Sequence, residues 1–112
     1  MQEENKLLSV AMNIILHSGD SRNLSSKAIE AAKVFNFNEA YFYLNQAHEE
    51  IILAHQSQTS VVQNEARGER YEYSLLFNHA QDTLMTVMSE LNMARSLIEF
   101  AELLNNKIEN MK

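Results

Sequence analysis

The chain has no cysteine, no proline and no tryptophan, and only two glycines in 112 residues. Without cysteine there is no disulfide framework, no thiolate metal site and no cysteine nucleophile, which fits a cytosolic protein. Without proline, and with two isolated glycines, the turn chemistry that β-hairpins require is missing, and so is a glycine-rich phosphate cradle. Basic residues are few as well: nine Lys and Arg stand against fifteen Asp and Glu, for a net charge of −6. No basic stretch is long enough to track a phosphate backbone, so nucleic acid is not an expected partner. Apolar runs reach only a few residues, far short of a membrane span. The acidic, polar start Met1-Gln2-Glu3-Glu4-Asn5-Lys6 does not resemble a signal peptide.

What remains is dominated by helix formers. Apolar residues make up 46% of the chain, and they recur at spacings of three and four. The expectation is an all-α fold, one domain over residues 1–112, with helices at about 3–34, 37–66 and 70–110. Leu7, Leu8, Ala11, Ile14 and Ile15, then Leu24, Ala28, Ala31, Ala32 and Phe35, form the inward stripe of the first helix. Gly19 costs about 1 kcal/mol relative to alanine in a helix interior, so a kink or a local break is expected there. Asn36 reads as the cap of the second helix. Glu39 is placed to reach back to it, and Phe35 to staple onto Ala40. The second helix turns Ala40, Leu44, Ala47, Ile51, Ala54 and Val61 or Val62 inward and ends at Gly68 in a left-handed conformation. The third starts between Glu69 and Tyr73, with the core stripe Phe77, Ala80, Leu84, Val87, Leu91, Ala94, Ile98, Ala101, Leu104 or Asn105, and Ile108. Short connections make this an antiparallel three-helix bundle.

The third helix carries a second stripe: His79, Asp82, Thr86, Ser89, Met93, Ser96 and Phe100. Asp82 is its only formal charge. A lone bundle has no use for a second uncharged stripe, and a small domain gains from association, so this face is expected to meet other copies in a homo-oligomer. Asn92, Arg95, Glu99, Glu102, Asn106 and Glu109 form a solvated stripe opposite the core; Met85 and Met88 extend it beside His79 and are expected to form an adaptable docking surface for partners.

Four histidines are available for chemistry. No Glu-x-x-His pair exists for a di-iron bundle. His48 and His55 are seven residues apart, roughly 10 Å along the axis by the helical rise, which is too far for one metal ion. Both are read as structural, as is His17 at the Gly19 break, whose alternative place is near another subunit's site. His79 differs by context. A neutral imidazole is a good nucleophile toward phosphorus, and phosphoryl transfer depends on positioning and charge stabilisation more than on a deep pocket. Asp82, one turn on, would repel a phosphorylated imidazole unless a hard cation neutralised it; orienting the ring is its alternative role.

Three blocks carry a family resemblance over nearly the whole chain. They are His17-Ser18-Gly19-Asp20-Ser21-Arg22, Ala54-His55-Gln56-Ser57-Gln58-Thr59 with Glu65-Ala66-x-Gly68, and Asn78-His79-Ala80-Gln81-Asp82-Thr83-Leu84-Met85-Thr86. In that order they resemble the lactose/cellobiose-type enzyme IIA component of the bacterial phosphoenolpyruvate-dependent sugar phosphotransferase system. The resemblance implies a homotrimer with the third helices along the threefold axis. It implies that His79 accepts a phosphoryl group on Nε2 from the histidine-containing phosphocarrier protein. The group then passes to a cysteine of the sugar-specific IIB component, for uptake of lactose-, cellobiose- or chitobiose-type sugars. It further implies one divalent cation per trimer, Mg²⁺, shared by three copies of Asp82. Location is cytoplasmic, with the membrane reached only through the IIC transporter. The chain departs from the family pattern at Thr83, where a second histidine is usual, and at Phe35-Asn36, where Gly-Asp is usual. The alternatives are a non-enzymatic helical adaptor and a histidine phosphotransfer domain of two-component signalling. The Lys-Gly segment usual after the histidine in the latter is absent.

Overall fold

The computed structural model describes the backbone of residues 2–112 and the side chains from residue 7 onward. Three helices account for nearly all of it, α1 (Gln2–Lys33), α2 (Phe37–Ala66) and α3 (Leu75–Asn110), and there is no strand among the described residues. They form an elongated bundle of 66 × 21 × 18 Å.

The core follows the heptad-like spacing of apolar residues. On α2 the buried set is Ala40, Leu44, Ala47, Ile51, Ala54 and Val61; on α3 it is Phe77, Ala80, Leu84, Val87, Leu91, Ala94 and Ile98. Each matches the expected stripe, and Val61 rather than its neighbour Val62 turns inward. On α1 the centre of the stripe is polar instead. Ser18, Ser21 and Ser25 are buried between the apolar ends Leu7, Ala11 and Ile14 on one side and Ala28, Ala31 and Ala32 on the other. Small residues on both α1 and α2 let the two backbones approach closely. Ser21 Oγ uses that approach to donate to the Ala47 carbonyl at 2.9 Å. Leu8, Phe35 and Ile108, expected inside, are 49%, 64% and 54% exposed: Leu8 lies one residue past Leu7 around the helix, Phe35 lies beyond the helix end, and Ile108 lies in the last turn of α3.

The helix ends differ from expectation in instructive ways. α1 runs through Gly19 without the expected break. The buried neighbours Ser18 and Ser21 hold the helix through its weakest residue, while a Cβ built at Gly19 itself meets nothing within 4 Å. Both inter-helix turns close in the same way. After α2, Gly68 at φ 102° lets Gly68 N–H and Glu69 N–H reach the Glu65 and Asn64 carbonyls at 3.0 Å each. After α1, Phe35 N–H and Asn36 N–H reach Ala32 and Ala31 in the identical pattern, also at 3.0 Å, with Phe35 itself at φ 62°. The left-handed residue of the second turn is a glycine and that of the first is a phenylalanine. The staple onto Ala40 does not form; the Phe35 ring tilts against Phe37 at 6.3 Å between centroids. Asn36 serves both helices. Its N–H closes α1, and its Oδ1 accepts from Glu39 N–H at 3.2 Å. Glu39 then takes the Asn36 side-chain amide at 2.8 Å rather than the cap backbone.

α3 starts at Leu75, later than the expected 69–73, because Ser74 is the cap: its Oγ accepts from Phe77 N–H at 3.1 Å. The preceding residues are held outside the helix by Tyr71. Its hydroxyl accepts from Asn64 at 3.0 Å and donates to Glu69 at 2.9 Å. At the other end Tyr41 on α2 donates to Glu102 on α3 at 3.0 Å. Burial, and then the bond to Glu102, hold the Tyr41 hydroxyl above its usual pKa of 10.0.

Two expectations follow. A left-handed Phe35 costs roughly 1–2 kcal/mol, so Phe35→Gly should raise the melting temperature by a few degrees, and Gly19→Ala should do so by a similar amount. Scanning calorimetry at fixed protein concentration checks both. The raised pKa of Tyr41 means its stabilising contribution is present below pH 10 and is lost as pH rises through the shifted value. Tyr41→Phe should therefore show a shallower fall in stability above pH 10 in denaturant titrations.

Candidate functional site

His79 stands on the second turn of α3, exposed, one residue before the fully buried Ala80. That burial fixes which way the imidazole points: Phe77, Ala80 and Leu84 face the core, and His79 and Asp82 face out. Among the described residues no hydrogen bond or ion pair engages the His79 ring or the Asp82 carboxylate, so both are free to meet another molecule. Thr83, in the place of the usual second histidine, donates its hydroxyl to the His79 carbonyl at 2.8 Å. It thereby satisfies itself locally and contributes nothing to the ring.

The rest of the second stripe is laid bare. Thr86, Ser89, Met93, Ser96 and Phe100 are all exposed, as are Leu97 and Met85 nearby. Met85, Thr86, Ser89, Glu90 and Met93 line an open groove along α3. Met88 departs from its expected exposure and packs half-buried against the core, since it follows Val87 on the flank that faces α1 and α2. Met85 is 55% exposed as expected.

The three sequence blocks meet in space through contacts that periodicity alone does not show. Gln58 of the second block donates to Gln81 of the third at 3.0 Å, pinning α2 to the turn of α3 that carries His79. Arg22 of the first block forms a two-pronged pair with Glu90 on α3, at 2.8 and 3.2 Å. The blocks already contained Gln58, Gln81 and Arg22; their pairing needed the tertiary arrangement. His55 contacts Thr59 at 3.3 Å on the surface of α2, and His48 is exposed. His17 pairs with Glu50 across α1 and α2 at 2.5 Å. Among the described residues, Asp82 belongs to no group of three donors that one ion could join. One chain therefore offers a single ligand at that position.

Residues 9–102 match the family model described as PTS system, lactose/cellobiose specific IIA subunit. The chain is 44% identical over 102 residues to the lichenan-specific phosphotransferase enzyme IIA component of Bacillus subtilis, covering 91% of each. Its fold superposes on the crystal structure of the cellobiose-specific enzyme IIA from Bacillus anthracis with a TM-score of 0.85, at 36% identity, over 90% of this chain and 93% of that one. It also superposes on the IIA(Chitobiose)–HPr complex of the Escherichia coli N,N'-diacetylchitobiose branch, with a TM-score of 0.76 at 32% identity, over 88% and 96% of the two chains. The bundle, the blocks and these likenesses agree, and the chain belongs to the lactose/cellobiose-specific IIA family, the phosphoryl-carrying components of the sugar phosphotransferase system.

Proposed function

We propose that this IIA component carries its phosphoryl group on Nε2 of His79. The observation that carries the reading is an exposed imidazole with no partner, held outward on a helix whose opposite side is fully buried. The donor is the histidine-containing phosphocarrier protein, a reading supported by the related chitobiose IIA, which forms a complex with HPr. In the first transfer the neutral His79 ring attacks the phosphorus in line; the new N–P bond forms as the donor's N–P bond breaks and its imidazole leaves. In the second, a cysteine thiolate of the sugar-specific IIB component attacks, an S–P bond forms and His79 leaves as a neutral imidazole. Neither step asks this chain for a deep pocket. The setting is cytoplasmic; among the described residues no helix is long and apolar enough to cross a membrane. Met85, exposed beside His79, forms part of the surface that meets both partners. An adaptor role and a two-component phosphotransfer role are not favoured by the family to which the chain belongs.

The working assembly is a homotrimer about the exposed stripe of α3. Support comes from its extent. Met93, Leu97, Phe100, Leu104 and Ile108 are between 49% and 71% exposed in the single chain, at spacings of three and four that suit a coiled-coil seam. α3 also runs past the ends of its neighbours, with Leu103 and Ile108 uncovered beyond the Tyr41–Glu102 bond. Three Asp82 carboxylates brought together on such an axis would repel one another. They fit a hard divalent cation, Mg²⁺, one per trimer, because each carboxylate is unpaired in its own chain and its face holds no other charge. When bound, the cation would offset the negative charge next to a phosphorylated His79.

Incubation with phosphoenolpyruvate, the general phosphotransferase enzyme and the phosphocarrier protein should add one phosphate. The adduct should be acid-labile and alkali-stable by mass spectrometry, and absent in His79→Gln. No adduct on the native chain defeats the carrier reading, and an adduct surviving His79→Gln defeats the site. Met85→Ser should slow transfer several-fold while leaving the trimer intact by light scattering; unchanged rates remove Met85 from the docking surface. Asp82→Leu should abolish the bound metal in elemental analysis and keep or tighten the trimer, since replacing clustered charges by apolar groups removes a desolvation cost. One metal per trimer persisting in Asp82→Leu contradicts the assignment.

A further inference from the structure

A second group of donors lies away from the His79 face, on the seam between α1 and α2. His17 and Asp20 sit one turn apart on α1, and Glu50 faces them from α2. One ligand atom from each falls within 4.8 Å of the others. His17 and Glu50 are largely covered, with side chains 24% and 28% exposed, while Asp20 opens to solvent. The His17 nitrogen in the cluster is Nδ1, already turned toward Glu50 Oε2.

The charge balance of the cluster is unusual for this chain. Two carboxylates share one imidazole, so the group is negative whether or not His17 is protonated. No lysine or arginine offsets it. Arg22, the nearest cation along α1, is drawn to α3 by both prongs of Glu90. Lys27 lies over the Tyr43 ring at 5.9 Å, and Lys33 pairs with Glu30. Asp20 has no hydrogen-bond or ion-pair partner among the described residues. A cation at this spot would relieve the repulsion, and among the described residues no lysine or arginine forms an ion pair with the cluster.

We propose that His17, Asp20 and Glu50 form a cation site on the α1–α2 seam, taking a borderline divalent ion such as Zn²⁺. One nitrogen and two carboxylate oxygens form a donor set that suits Zn²⁺ at about 2.0–2.2 Å, with water completing the coordination. Donors around such an ion lie somewhat farther apart than the present His17–Glu50 contact, and the three ligand atoms already lie within 4.8 Å of one another. The site differs in kind from the one proposed at Asp82. It is complete within one chain, it contains nitrogen, and it binds one ion per chain instead of one per trimer. The ion would clamp α1 to α2 beside Gly19, the residue with the lowest helix propensity in α1.

The test is titration of the metal-stripped full chain with Zn²⁺ by calorimetry and with Co²⁺ by visible absorption. Both are done in the Asp82→Leu background, so that the axial position contributes nothing. The expected result is one saturable ion per chain, with Co²⁺ bands of a nitrogen–oxygen site and a raised melting temperature. Glu50→Gln and His17→Gln should each weaken binding at least 30-fold and remove the Co²⁺ bands. The double variant His48→Gln/His55→Gln should leave binding unchanged, and so should His79→Gln, which keeps the outcome separate from that of the phosphocarrier reading. Circular dichroism verifies that each variant is folded. Where Glu50→Gln unfolds the chain, Asp20→Asn at its exposed position replaces it, with the same loss expected. Binding that survives His17→Gln, or that vanishes in the His48/His55 variant, overturns the site; so does the absence of saturable binding, which would leave His17 and Glu50 as an ion pair alone.

Discussion

The rotational setting of α3 is the constraint on which the site depends. Seven residues from Phe77 to Ile98 are buried at spacings of three and four, and rotating the helix by one residue would expose all of them. The five large ones, Phe77, Leu84, Val87, Leu91 and Ile98, each contribute on the order of 1.5–3 kcal/mol when fully buried, so the helix has one acceptable orientation. That orientation turns His79 and Asp82 outward without any contact made by their own side chains. Three cross-helix bonds lock it along its length: Gln58 to Gln81, Arg22 to Glu90, and Tyr41 to Glu102. The reactive end is thus held by packing, and its imidazole stays free.

A rigid helix with one free histidine suits the proposed carrier role, in which the chain would meet two unlike partners in turn. A deep pocket would select one of them; an exposed ring on a firm platform serves both. The electrostatic difficulty is a chain of net charge −6 that must hold a further dianion. Two of its nine Lys and Arg side chains are paired elsewhere, Arg22 to Glu90 and Lys33 to Glu30. The cations proposed at Asp82 and at the His17 cluster would offset part of that negative charge.

The parts of the fold legible beforehand were those in which a periodic pattern and its energetic consequence coincide. The inward stripes of α2 and α3 are of this kind, because burial at a period near 3.6 leaves no competing arrangement. The end of α2 at Gly68 is another, since glycine adopts the left-handed conformation without steric cost. The misreadings fall where local preference met a tertiary counterweight. Gly19 was expected to interrupt α1, yet packing on α2 and α3 outweighs a local cost of about 1 kcal/mol. Phe35 takes a left-handed conformation that its own side chain disfavours, because the backbone bonds closing α1 require it. The start of α3 moved to Ser74 because Tyr71 found partners in Asn64 and Glu69, a choice no helical periodicity reports. Ser18, Ser21 and Ser25 are buried at the centre of the α1 stripe, where polar residues of small size replace apolar ones.

By itself the sequence determined the all-helical fold, the core positions of α2 and α3 and, through three short blocks, the family. All of these are encoded locally, in spacing and residue type within a few helical turns. Only the tertiary structure decided that Gln58 meets Gln81, that Arg22 is claimed by Glu90 and that His17, Asp20 and Glu50 converge. These are contacts between residues more than twenty positions apart, except the His17–Asp20 neighbours within one turn. The second stripe of α3 shows the division most clearly. Its lack of charge could be read along the chain. Its exposure from Asp82 to Phe100, which leaves it available to other copies, follows only from where α1 and α2 choose to pack.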